Sequence, residues 1–118
     1  MESKEIAKIA YKVLDEKKAI DTRIIDIREL SVIADYFMIA GANNDRQVKA
    51  LADRIEEILG KSGVVPKGIE GYNSANWILM DYGDVIIHIF NQEQRLFYDI
   101  ERIWTNGTGS NIVEPEDL

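Results

Sequence analysis

The sequence predicts a single α/β domain: a five-stranded mixed sheet flanked by helices, with elements in the order αββαβββα. The 118 residues have room for one hydrophobic core. Two stretches, 3–18 and 45–59, carry apolar residues at helical spacing, and the segments around them contain short β-branched runs that end in turn-forming residues. A helix between the second and third strands permits a parallel crossover, so the sheet is expected to be mixed.

The first half of the chain contains two predicted helices separated by two strands. In the first helix, Ile6, Ala10 and Val13 share one apolar stripe. The segments TRIIDIREL and DYFMIAG are predicted as strands because apolar and β-branched residues dominate them. Asn44 then begins a capping-box pattern with Gln47, so the second helix should start there and end near residues 60–63.

The second half of the chain is predicted to contain three strands, a last helix and a tail. Residues 66–71 indicate a short strand. The next two segments, WILMDYG and DVIIHIF, indicate a hairpin that turns at residues 82–84. Asn91 should cap a helix that directs Phe97, Ile100 and Trp104 inward and pairs Arg95 with Asp99 on its surface. From residue 105 the chain has three acids and no base, so we expect one domain over 1–104 and a mobile acidic tail over 105–118.

The composition excludes several classes of protein. Fourteen Lys and Arg against 21 Asp and Glu give a net charge of −7, which suits a basic protein partner better than nucleic-acid phosphate. The chain has no cysteine, so it cannot form a disulfide framework, a thiolate metal site or a cysteine nucleophile. No apolar run could span a bilayer, and the first residues lack a signal-peptide core, so a soluble cytoplasmic protein is predicted.

The predicted hairpin separates two sets of side chains. With a two-residue turn, odd positions of the first strand share a face with even positions of the second. We call one the Ile78 face, an ordinary core pattern of Ile78, Met80, Tyr82, Val85, Ile87 and Ile89. We call the other the Trp77 face, which consists of Trp77, Leu79, Asp81, Ile86, His88 and Phe90. Aromatic anchors beside a few polar groups are typical of protein interfaces, but the pattern equally fits a sheet covered by helices on both sides.

Other candidate sites carry weak signals. His88 is the only histidine, so a metal site would need carboxylates for its remaining ligands, and a single buried hydrogen bond is the commoner role of such a residue. The segment 41–44 lies between a strand and a helix N-terminus, yet it lacks the glycines and lysine of a phosphate loop. Asp81 and Asp84 flank the hairpin turn and are expected to serve it.

Three stretches taken together resemble the ribosomal silencing factor family, also called RsfS or Iojap. They are DIRELSVIADYFMIAGANNDRQVKALAD at 26–53, EGYNSANWILMDYGDVIIHIF at 70–90, and ERIW at 101–104 preceded by RLFYD. The similarity spans roughly residues 4 to 104, and its motifs are specific in combination. One departure is the segment 41–44, where the resemblance leads us to expect a serine-bearing turn; Asn44 can cap the helix instead.

The resemblance implies a protein that docks on the large ribosomal subunit, at its protein numbered fourteen, and blocks joining of the small subunit. Translation would thereby fall when nutrients fail. It also implies a nucleotidyltransferase-like core and a homodimer. The contact residues carried over are Trp77, Leu79, Asp81, Tyr82, His88 and Phe90, with Glu70 and Arg95 as supports.

Two alternatives stand beside this interpretation. One is a dimeric scaffold with no ribosome contact. The other is a metal-dependent nucleotidyltransferase, which needs a Gly-Ser turn on the phosphates and two carboxylates spaced to hold a divalent metal. The segment 41–44 has no such Gly-Ser turn, and Asp81 and Asp84 are three apart across a turn. We therefore expect no enzyme activity, no cofactor and no metal.

Overall fold

A six-stranded mixed sheet forms the centre of the molecule. The structure, a computed structural model, describes residues 1–93, 100–105, 109 and 111–118. The strands are β1 (Ile20–Asp26), β2 (Tyr36–Ala42), β3 (Gly68–Glu70), β4 (Trp77–Asp81), β5 (Val85–Asn91) and β6 (Ile112–Val113). Their order across the sheet is β3-β4-β5-β2-β1-β6. The mixed α/β class is confirmed, and the prediction of five strands is wrong because β6 adds a sixth.

The parallel pair of the sheet is β2 with β5, and it lies at the centre. The pairing runs without interruption from Tyr36 opposite Val85 to Ala42 opposite Asn91. All the other neighbouring strands are antiparallel. Every residue of β2 is buried, as expected of a central strand that has protein on both faces.

Two helices, α1 (Ser3–Glu16) and α2 (Asp45–Lys61), pack on the Ile78 face. The capping prediction for α2 is confirmed, because the Gln47 backbone N–H donates to Asn44 Oδ1 at 2.9 Å. The Gln47 side chain in turn accepts a bond from the Asn43 N–H at 2.8 Å. The main core lies between these helices and the sheet, and its largest members include Leu14, Leu51, Leu59, Ile78 and Met80.

A second apolar cluster lies on the opposite side of the sheet. Its buried members are Ile25, Ile27, Ala34, Phe37, Ile39, Ile86 and Phe90. A short helix, α3 (Ile100–Trp104), covers part of it, and the Trp104 ring meets the Phe37 ring edge-on at 4.8 Å. This contact agrees with the prediction that Trp104 faces inward. Arg95, Phe97 and Asp99 lie outside the described residues, and so does the predicted pair between Arg95 and Asp99.

The acidic tail contains structure that the sequence did not predict. Ile112 and Val113 pair with Ile25 and Ile24 of β1. The Asn111 side-chain amide donates to the Trp104 carbonyl at 2.9 Å and to the Asp26 carbonyl at 3.2 Å. A 3₁₀ helix follows at Pro115–Asp117, and Leu118 packs against the main core. Residues 111–118 therefore pack against β1, α3 and the main core in the structure, where a mobile tail was expected. Among the residues that the structure describes, no helix is both long and apolar enough to cross a membrane.

Truncation of the chain after Trp104 should lower its stability. The truncated chain loses β6 and the partly buried side chains of Val113 and Leu118. We expect the free energy of unfolding to fall by about 1–3 kcal/mol, measured by urea denaturation. A double variant, Glu114→Gln with Glu116→Gln, is the control, because it changes the charge of the tail and leaves its strand intact. Equal stability of the truncated and full chains would show that the docked tail contributes nothing.

Candidate functional site

The β4–β5 hairpin has the register that separates the Trp77 face from the Ile78 face. Trp77 lies opposite Phe90, Leu79 opposite His88 and Asp81 opposite Ile86. The Tyr82 N–H donates to the Val85 carbonyl at 3.0 Å, so the loop consists of Gly83 and Asp84. Gly83 has φ +85°, a conformation that favours glycine and suits tight hairpin loops. The two predicted faces are therefore confirmed.

The two faces are covered to different degrees. Side chains of the Ile78 face are buried beneath α1 and α2. On the Trp77 face burial increases from the outer strands toward the centre of the sheet. Phe90 and His88 on β5 are buried, whereas Trp77 and Leu79 on β4 are only partly buried. The part of the Trp77 face open to a partner is thus its β4 edge.

Glu70 and Gly71 complete this edge. Glu70 pairs with Leu79 across β3 and β4, so it lies on the Trp77 face, and it is exposed. Together Glu70, Gly71, Trp77 and Leu79 line a shallow pocket of about 240 Å³. We call these four residues the Trp77 edge. An indole and a leucine beside a carboxylate offer apolar contact and negative charge at one place.

Gly71 lets the chain pass close to Trp77. It has φ +78°, and a Cβ atom built there would lie 2.1 Å from the Trp77 carbonyl oxygen. No other residue fits, since both the backbone conformation and the space exclude a side chain. The strand predicted over 66–71 included Gly71, whereas the observed strand ends at Glu70, and the role of Gly71 in this close approach was not predicted.

His88 is deeply buried behind Trp77. Only 3% of it is exposed, and its Nδ1 accepts a hydrogen bond from the Trp77 Nε1–H at 3.0 Å. The Phe37 ring meets the imidazole edge-on at 4.8 Å, and the Trp77 ring stacks on Phe90 at 5.2 Å. A side chain so buried cannot contact a protein partner directly. The aromatic neighbours Phe37 and Trp104 were not among the predicted site residues.

Burial also sets the charge state of His88. It lowers the pKa of the imidazole from 6.5 to about 4, because a charged ring would lose its hydration. The imidazole is therefore neutral at physiological pH. A neutral ring has a free lone pair, which the bond from Trp77 requires.

The remaining predicted site residues do not all lie together. Asp81 is partly exposed at the end of β4, and its Oδ1 accepts a bond from the Gly83 N–H at 2.8 Å, so it serves the turn as predicted. Tyr82 lies on the Ile78 face, where it is buried in the main core. The structure thus separates Tyr82 from the other predicted contact residues. Arg95 lies outside the described residues.

The possible phosphate site at the start of α2 is polar but partly acidic. A hollow of about 500 Å³ there is lined by Asn43, Asn44, Asp45, Arg46, Asn91 and Glu93. The Asp45 carboxylate accepts a bond from the Asn91 amide at 2.9 Å. Two carboxylates at the rim oppose phosphate binding. Within the described part of the chain, no three His, Cys, Asp or Glu side chains come together in a way that could hold a metal ion.

Comparison with known proteins assigns the chain to a family, which the geometry alone does not do. A family model described as "Ribosomal silencing factor during starvation" matches residues 1–117. The chain belongs to this family. Among relatives of the RsfS family, the ribosomal silencing factor RsfS of Bacillus subtilis is 39% identical over 104 residues, covering 88% of each chain. The chloroplastic protein Iojap of Zea mays is 36% identical over 98 residues, which cover 82% of this chain and 42% of the maize protein.

Solved structures agree with the fold of this RsfS family member. A crystal structure of a protein from Chromobacterium violaceum superposes with a TM-score of 0.85 at 38% identity, covering 88% of this chain and 87% of that one. A crystal structure from Bacillus halodurans gives a TM-score of 0.81 at 32% identity, covering 93% and 97%. The family match and the RsfS relatives confirm the predicted family.

The neutral state of His88 predicts a pH-dependent stability. Its folded pKa lies below the ordinary value, so the unfolded chain binds more protons between pH 6.5 and 4, and stability falls as pH falls through that window. Between pH 7 and 5 the loss should be about 2 kcal/mol. A His88→Asn variant has no imidazole to titrate and should lack this part of the slope. Denaturation curves at both pH values test it, and parallel slopes for the two proteins would contradict the assignment.

Proposed function

We propose that this chain lowers translation by binding the large ribosomal subunit through the Trp77 edge and excluding the small subunit. The observation that carries the proposal is the half-buried Trp77 and Leu79 beside the exposed Glu70, held on paired strands. Trp is among the residue types enriched at the positions that dominate binding energy in protein interfaces. The similarity to relatives named ribosomal silencing factor supports a ribosomal target.

The partner on the subunit is proposed to be its protein numbered fourteen, as the family resemblance implies. Ribosomal proteins are generally basic because they lie against RNA, and this chain carries a net charge of −7. Glu70 and Asp81 place negative charge beside the apolar contact. Within the same proposal, the protein acts in the cytoplasm, forms a homodimer and has a nucleotidyltransferase-like core that performs no reaction.

Exclusion of the small subunit requires only bulk in the right place. The molecule measures about 34 × 33 × 24 Å along its principal axes. A body of that size, docked at the surface where two subunits meet, would hold them apart. The proposed action therefore needs no catalytic group, and the main requirement is a firm attachment.

Trp77→Ala should weaken binding to purified large subunits. Removal of the indole loses the central anchor, and we expect a cost of about 2 kcal/mol or more, which is roughly a 30-fold loss of affinity. Co-sedimentation with large subunits gives the affinity, and a subunit-joining assay should show weaker inhibition by the variant. Circular dichroism establishes that the variant is folded.

Tyr82→Phe is the matched control for Trp77→Ala. The Tyr82 hydroxyl is buried on the opposite face, and burial raises its pKa to about 12. Its removal should leave the affinity unchanged. Wild-type affinity in Trp77→Ala would show that the wrong face has been assigned, and a large loss in Tyr82→Phe would place the contact on the other side of the sheet.

The affinity should fall only modestly with salt. Proteins that track phosphates lose roughly 10³-fold in affinity or more between 50 and 200 mM salt because they release many counterions. Apolar burial at Trp77 and Leu79 is little affected by screening, so we expect a loss below about 10-fold over that range. A steep salt slope would instead indicate contacts with ribosomal RNA by Lys49, Arg54 and Lys61 on α2.

A further inference from the structure

The hydrogen bond between Trp77 and His88 joins the open edge of the Trp77 face to its buried centre. His88 lies directly opposite Leu79, so it is the diagonal neighbour of Trp77 on the same face of the sheet. The indole Nε1 and the imidazole Nδ1 are 3.0 Å apart. One partner of this bond is nearly inaccessible, and the other is partly open to solvent.

The chemistry of the two rings fixes where the protons lie. An indole N–H can only donate, so His88 Nδ1 must be the acceptor and the imidazole proton must lie on Nε2. The imidazole itself is held by Phe37 on the neighbouring strand, whose ring meets it edge-on at 4.8 Å. His88 therefore accepts through Nδ1, and its protonated Nε2 is buried with no hydrogen-bond partner among the described residues. This bond and the stack on Phe90 both hold the Trp77 ring.

We propose that His88 is a positioning residue for the ribosome contact: its Nδ1 holds the Trp77 indole in the orientation that the partner binds. The inference rests on the proposed function, because it takes Trp77 as the anchor. It also changes the role expected of His88, which was predicted as a direct contact residue. With 3% of its surface exposed, His88 acts through Trp77 instead.

Without the His88 acceptor, the Trp77 indole should no longer be preorganised for binding. An indole free to change rotamer must be immobilised again on binding, at a cost comparable to ordering one large side chain. Loss of the acceptor should therefore weaken large-subunit binding by about 3- to 10-fold. This is smaller than the loss expected when the indole itself is removed.

Nuclear magnetic resonance of the free protein tests the bond without any ribosome. The chain contains one histidine, so the imidazole nitrogen signals are unambiguous. A long-range proton–nitrogen spectrum should show the proton on Nε2 and a bare Nδ1 at neutral pH. The Trp77 indole proton, identified by its absence in Trp77→Phe, should exchange slowly with solvent. A proton on Nδ1 would overturn the proposal, whatever the ribosome experiments give.

A double-mutant cycle tests the consequence for binding. His88→Phe removes the acceptor and keeps an aromatic ring, whereas Trp77→Phe removes the donor. We expect His88→Phe to weaken large-subunit binding 3- to 10-fold in the wild-type background and less than 2-fold in the Trp77→Phe background. Equal effects in both backgrounds would overturn the positioning role, because a general packing defect does not depend on the indole N–H.

His88→Asn provides the rescue variant. The asparagine Oδ1 is attached at the same point as the imidazole Nδ1, so it can accept from Trp77, and binding should recover relative to His88→Phe. No recovery in a folded His88→Asn protein, with its Trp77 indole proton still protected, would contradict the proposal. If the wild-type protein does not bind large subunits at all, the proposed function fails while the spectrum still decides whether His88 holds Trp77.

Discussion

The pairing of β4 with β5 through the two-residue loop Gly83-Asp84 decides which side chains the protein buries and which it offers. Side chains alternate across a strand, so a slip of one residue in this register would exchange the two faces completely. Trp77 would then point into the core beneath α1 and α2, and Ile78 would face outward. The loop conformation at Gly83 and the bond from its N–H to Asp81 hold the register at the turn. By accepting the bond from the Gly83 N–H, Asp81 helps to decide which side chains of the hairpin lie on the Trp77 face.

The alternation of side chains between the two faces of the hairpin could be predicted, because a two-residue periodicity is recognisable even within one short strand. The composition of both faces followed from it, including the placement of Tyr82 on the core side. The family resemblance grouped Tyr82 with the contact residues, and the structure separates it from them. The Ile78 face was predicted as core, but how far helices cover the Trp77 face could not be predicted, since that depends on how the helices pack across the whole sheet. The family itself was recognisable because its motifs extend over most of the chain.

The sixth strand shows where sequence patterns fail. Ile112 and Val113 are two apolar residues in an otherwise polar segment, too few to show any periodicity. Their pairing with β1 is supported by Asn111, which bridges the carbonyls of Asp26 and Trp104. Such contacts join residues that are distant in sequence, so no local sequence pattern predicts them. The closeness of Gly71 to the Trp77 carbonyl is of the same kind, because it depends on the return path of the chain.

The two outer strands of the sheet are both very short. β3 has three residues and β6 has two, so these outer strands themselves present few unpaired N–H and C=O groups. Long open edges invite other chains to add strands, which is the route to aggregation that natural sheets avoid. This protein has strongly apolar inner strands and a sheet face that is only partly covered. The short outer strands disfavour the addition of a strand from another chain. The side chains of the Trp77 edge stay available to a partner.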